Sequence, residues 1–87
     1  MVQVRIPQSM QVFTEGREVV EGSGRNVRQL VNDLTVRYRG LKDAMLLEDK
    51  LRPDIAIMLD GEVARLGLLQ PISEDNEVVI IPAISGG

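Results

Sequence analysis

The feature that most restricts the fold of this chain is a single long apolar stripe. Val27, Leu30, Val31, Leu34 and Tyr38 recur at the spacing that lines up side chains on one face of an α-helix. Arg28, Asn32, Asp33, Arg37 and Arg39 take the remaining faces. Such a helix cannot bury its stripe alone, so a second layer has to cover it. Asn26 is placed as the N-cap, with Gln29 three residues on in capping-box spacing. Gly40 is expected to stop the helix as its C′ residue.

The period changes on both sides of this helix, and the second layer is therefore a sheet. In "VQVRI" the residues Val2, Val4 and Ile6 alternate with Gln3 and Arg5, the pattern of a half-buried strand. A Glu15-Gly16 turn before Val19 and Val20 predicts a hairpin. "IAIML" is a further strand with Ile55, Ile57 and Leu59 inward and Ala56 and Met58 outward, closed by an Asp60-Gly61 turn. A weaker strand is expected around Val63 to Leu66, and "VVIIPAI" from Val78 to Ile84 is the last. Leu41 to Pro53 predicts a short helical turn around Ala44 to Leu47 and then an irregular charged segment. The fold class is α+β, a sheet with one main helix across one face.

Composition removes most enzyme chemistries. With 87 residues, 44% of them hydrophobic, the chain suits one domain. It has no Cys and no His, so thiol nucleophiles, redox centres, the usual general base and the commonest metal ligand are all missing, and no metal site is expected. A net charge of −3 opposes binding to phosphate backbones, so nucleic acid is not an expected partner. The acid is concentrated late: residues 1–40 carry six Arg against four acids, and residues 41–87 four bases against nine acids. The start is not a signal peptide and no apolar stretch reaches membrane-spanning length, so the expectation is a cytoplasmic protein, monomeric when free and without membrane contact. "GSG" at Gly22 to Gly24 lacks the Walker lysine and the dinucleotide spacing, and is expected to be a turn. The pairs Glu48-Asp49 and Glu74-Asp75 sit in polar turns and are expected to be solvated rather than catalytic.

"PAISGG" at residues 82 to 87 poses a separate question. Glycine loses more backbone freedom on ordering than any other residue, so a packing role for a terminal pair is unfavourable. A frayed end is the structural alternative. Against it, the glycines follow directly on an apolar strand.

The tail and the motifs before it resemble, in order, the ubiquitin-like β-grasp sulfur carriers of the MoaD/ThiS family. The shared pieces are Asp60-Gly61, "GLLQPI" from Gly67 to Ile72, "SEDNEV" in the acidic turn, and "VVIIPAISGG". The chain departs from the family in the acidic turn, with Asp75-Asn76 where Gly-Asp is frequent. The resemblance implies a mixed β-grasp sheet with adjacent, parallel first and last strands, a domain over 1–84 and a flexible tail over 85–87.

It also implies a role. The chain would be no enzyme but a carrier, with no bound cofactor. Its partners would be an adenylating activating enzyme that consumes ATP and a sulfur-using biosynthetic enzyme. Adenylation and thiocarboxylate formation would fall on Gly87, with Gly86 and Ser85 threading into the partner. Because a carboxylate is a poor electrophile, it needs such activation, and residues lacking a Cβ pass a narrow channel most freely. A ubiquitin-like modifier forming isopeptide bonds through the same glycine is the alternative. Length between helix and third strand favours the molybdopterin and cysteine-biosynthesis carrier types over the thiamine type.

The alternation also defines a candidate docking patch. If Val78 and Ile80 point inward with Val4 and Ile57, then Val79 and Ile81 point outward beside Met58 and Ala56, with Arg5 at the border. Single exposed apolar residues are ordinary, but several in one patch beside the tail mark a surface for a partner.

Overall fold

The structure, a computed structural model, describes residues 1–82. Strands β1 (Val2–Arg5), β2 (Val19–Gly22), β5 (Ile55–Leu59), β6 (Glu62–Val63) and β7 (Glu77–Pro82) form one five-stranded sheet in the order β2-β1-β7-β5-β6. Helix α1 (Val27–Arg37) crosses one face, followed by α2 (Arg39–Met45) and a small separate ribbon of β3 (Leu46–Leu47) and β4 (Lys50–Leu51). β1 and β7 pair in parallel, with Val4 opposite Val78, while β5 pairs antiparallel with β7 and β2 with β1. The last strand therefore occupies the centre of the sheet.

Strand alternation decides which residues reach the core. Val2, Val4, Val78 and Ile57 are each at most 2% exposed, and they meet Val27, Leu30, Val31 and Leu34 of the helix stripe. Burying each such aliphatic side chain stabilises the fold by about 1.5–3 kcal/mol before entropy is counted. The start of α1 is fixed by reciprocal bonds. The Asn26 side-chain oxygen accepts from the Gln29 backbone N–H at 2.9 Å, and Gln29 Oε1 accepts from the Arg25 N–H at 2.8 Å. Gln29 thus reaches back one residue further than a standard capping box.

Several expectations are corrected. α1 ends at Arg37, not at Gly40, and Tyr38 is its cap. Gly40 lies inside α2, where an added Cβ would stand 2.5 Å from Phe13 Cδ1, so the glycine admits a ring and does not end a helix. The β1–β2 hairpin exists, but its connection holds a 3-10 helix over Gln8–Thr14, with Glu15 and Gly16 following in left-handed conformations. The 41–53 stretch is more ordered than expected, holding most of α2 and the β3–β4 ribbon. The ribbon turns on Glu48 and Asp49, both at positive φ. The strand expected over Val63 to Leu66 is shorter, and Gly67–Leu69 is a 3-10 turn. The "GSG" break serves packing: a Cβ on Gly24 would lie 2.6 Å from the Leu30 nitrogen.

No helix among the described residues is long and apolar enough to cross a membrane.

Candidate functional site

The open face of the sheet, opposite α1, carries the predicted patch in the predicted register. Arg5 and Met58 flank Val79 on either side, and Ala56 stands opposite Ile81. Period-two alternation forces this result: once Val78 and Ile80 are buried at 1% and 2%, Val79 and Ile81 must face the other way. Val79, Met58 and Ala56 are half-buried and Ile81 is 40% exposed, so the five residues form a contiguous surface of mixed depth.

The border of this surface contains residues that the sequence reading did not single out. Arg5 Nη1 donates to Glu18 Oε1 at 2.8 Å across the β1–β2 edge. A groove of about 540 Å³ runs beside it, lined by Arg5, Pro7, Gln8 and Gln11 on one side and by Ile81 and Pro82 on the other. Gln8 and Gln11 come from the 3-10 helix, which has no helical-period stripe in the sequence and left no signal to read. Thr14 closes that turn from below: it is fully buried, and its hydroxyl donates to the Arg17 carbonyl at 2.8 Å.

A second linkage holds the two turns at the opposite end of β5 and β7. Asp60 Oδ1 accepts from the Glu77 N–H at 2.8 Å, and Asp60 Oδ2 accepts from Asn76 Nδ2. The Asn76 oxygen in turn accepts from the Ser73 N–H at 2.7 Å. The Asp75-Asn76 departure in the acidic turn is thus used structurally, because Asn76 ties that turn to the Asp60-Gly61 hairpin and so fixes the start of β7. The "GLLQPI" segment is strapped to the helix start through Val27 N–H to Gln70 O at 3.0 Å and Ile72 N–H to Arg25 O at 2.9 Å.

The paired carboxylates are explained by local structure. Asp49 accepts from Arg28 Nη1 at 3.0 Å, which clasps the β3–β4 turn to α1. The hydrogen bond from Arg28, with its charge, holds the Asp49 carboxyl below its ordinary range. Glu74 is highly exposed and stands 3.9 Å from the Met1 ammonium. No group of His, Cys, Asp and Glu among the described residues could hold a metal ion. The positions expected to carry the chemistry, Ser85, Gly86 and Gly87, lie outside the described residues. β7 leads into them from the sheet centre.

A family model described as the ThiS family matches residues 4–87. The chain belongs to the ThiS family. The sulfur carrier protein CysO of Mycobacterium tuberculosis is 30% identical over 91 residues, covering 99% of this chain and 98% of that protein. A CysO complex with BexX from Amycolatopsis orientalis has a chain that superimposes with a TM-score of 0.94 at 30% identity, with complete coverage of both. The small archaeal modifier protein 1 of Methanosarcina acetivorans superimposes at 0.84 with 25% identity, covering 99% of this chain and 95% of that one. The chain has the α+β, ubiquitin-like β-grasp fold of these neighbours, and the relatives it matches are named sulfur carrier proteins.

Proposed function

We propose that the chain is a sulfur carrier of the CysO type, in which the Gly87 carboxylate is adenylated by an activating enzyme and then converted to a thiocarboxylate. A carboxylate oxygen attacks the α-phosphorus of ATP and pyrophosphate leaves. A sulfide-level sulfur nucleophile then attacks the carbonyl carbon and AMP leaves. The observation that carries the reading is the placement of β7. It runs through the middle of the sheet and turns Val79 and Ile81 to the open face, so that the patch and Pro82, the last described residue, share one strand. One surface can then grip a partner while the five following residues enter its pocket.

The similarity to CysO supports a cysteine-type pathway over a molybdopterin-type one, with a sulfur-using biosynthetic enzyme as the second partner. The complex of the Amycolatopsis orientalis CysO with BexX supports docking on another protein as the working mode. The likeness to a small archaeal modifier protein favours one further reading, in which the activated glycine is passed to a lysine of a target protein.

Intact-mass analysis separates the two. The chain is incubated with ATP, an adenylating enzyme that accepts it and a sulfide donor. The carrier reading expects exchange of one oxygen for sulfur, placed at Gly87 by fragmentation. It also expects alkylation of a chain that has no thiol of its own. Gly86→Ala should fold normally and be activated more slowly. Adenylate formation followed by lysine conjugates, with no sulfur gained, replaces the carrier with the modifier.

A further inference from the structure

The two edges of the five-stranded sheet are unequal. β6 has only the two residues Glu62–Val63, too short to template another strand, whereas β2 has four, Val19–Gly22. Which groups β2 turns outward follows from its ladder with β1. The Ile6 N–H donates to the Glu18 carbonyl at 2.7 Å, and in the same register Val20 stands opposite Val4 and Gly22 opposite Val2. Antiparallel partners bond at alternate residues, so the even-numbered residues bond to β1, and Val19 and Glu21 present their N–H and C=O groups to the outside.

Both ends of this outward row are occupied. At one end the Arg17 N–H donates to the Thr14 carbonyl at 3.0 Å, and the Arg17 carbonyl accepts from the Thr14 hydroxyl at 2.8 Å. At the other end α1 reaches over the edge: Arg37 Nη2 donates to the Glu21 carbonyl, and Asp33 Oδ2 accepts from the Ser23 N–H at 2.9 Å. Asp33 and Arg37 are one helical turn apart, and the Arg37 guanidinium is also held 5.8 Å from the centroid of the Tyr38 ring. The Glu21 carbonyl and the Ser23 N–H flank Gly22, and they are the acceptor and donor that one residue of an added parallel strand would take. Two side chains thus stand where a sixth strand would lie.

Between these ends Val19 is 41% exposed, and its N–H and C=O make no hydrogen bond among the described residues. Arg17 and Glu21, both exposed, lie two residues to either side of it. A two-fold axis at Val19 sets Val19 against Val19 and Arg17 opposite Glu21 twice, so the occupant that this row fits is its own copy. We infer that the β2 edge is a self-pairing site for a second copy of the chain, and that Asp33 and Arg37 are the lock that keeps it closed. Locked, the chain stays single. Released, two five-stranded sheets join edge to edge through β2. The inference is independent of the carrier reading, for it holds whatever Gly87 carries.

The test compares the full-length wild type with Asp33→Ala/Arg37→Ala by light scattering and by amide exchange in NMR, from dilute to concentrated protein. Wild type should keep the mass of one chain throughout. The double variant should shift towards two, and exchange at the Val19 and Glu21 amides should slow at least about threefold as concentration rises. Glu21→Pro in that background removes an outward N–H that β1 does not use, and should return the mass to one chain. Val19→Cys in that background, in a chain with no other cysteine, should give a disulfide-linked dimer on mild oxidation, because opposed residues of such a pair stand about 5.5 Å apart. If the double variant melts early, Arg37→Met, which keeps its stem beside Tyr38, is read in its place. The inference is overturned if the opened variant stays single at a wild-type melting temperature, if Glu21→Pro leaves the association intact, or if wild type pairs as readily with the lock in place.

Discussion

Replacing Ile81 by Asp tests whether the open face is the surface a partner grips. Ile81 keeps 40% of its surface exposed in the free chain, so roughly 70 Å² remains to be covered, worth roughly 1.5–2 kcal/mol at about 25 cal/mol per Å². Losing that contribution alone weakens docking about tenfold or somewhat more. The carboxylate adds a further cost, because a charge without a partner would enter a desolvated surface beside Val79 and Ala56. Titration calorimetry of Ile81→Asp against the activating enzyme should therefore show a dissociation constant raised at least about tenfold, with the wild-type circular dichroism spectrum retained. Leu69→Asp, at a residue 73% exposed outside the five-stranded sheet, is the control and should bind normally. The reasoning fails if Ile81→Asp binds as wild type does. It fails differently if the variant is unfolded, for the side chain would then belong to the core.

Two further outcomes are expected. Gly24→Ala forces a Cβ to 2.6 Å from the Leu30 nitrogen, where backbone cannot yield cheaply, and should cost about 1–3 kcal/mol in urea unfolding; an unchanged midpoint would mean that the helix start shifts freely. For Asp49, whose folded pKa lies below the unfolded value because of Arg28, the clasp is fully present above the unfolded carboxylate value and is lost as pH falls through the folded one. The stability gap between wild type and Asp49→Asn should accordingly be visible at neutral pH and close in strong acid, and a gap constant across the range would assign the effect to something other than the carboxylate.

Strand register was the most legible part of this chain, because period-two alternation in "VQVRI" and "IAIML" leaves only two faces to choose between and apolar content selects one. The same alternation put Val79 and Ile81 on the open face, while the strands beside them followed from the family resemblance. Asn26 with Gln29 and Asp60 with Gly61 were legible because short side-chain bonds and left-handed turns demand those residue types. The Glu48-Asp49 turn was not: both residues sit at positive φ without glycine or asparagine, held in part by Arg28, twenty-one positions earlier. Gly40 misled for a related reason. A glycine after an apolar stripe signals a helix end, yet here a ring from Phe13, distant in sequence, requires the missing Cβ. The Gln8–Thr14 turn has no periodic signal, so the groove it walls could not be foreseen. Gly86 and Gly87 were singled out on chemistry alone, by their lack of a Cβ and the ordered motifs before them, and with Ser85 they lie outside the described residues.

The central position of β7 also governs when the protein can exist at all. During synthesis β1 and β2 emerge first as one ribbon and β5 and β6 later as another, and no strand pairs with both until Glu77–Pro82 has left the ribosome. Two-stranded ribbons are marginal on their own in water. Every product broken off upstream is therefore left as two loose halves, open to proteolysis. Val79 and Ile81, the residues that a partner would grip, arrive on the same strand that closes the sheet. A partner that tests for this surface is in effect testing whether the sheet has been closed.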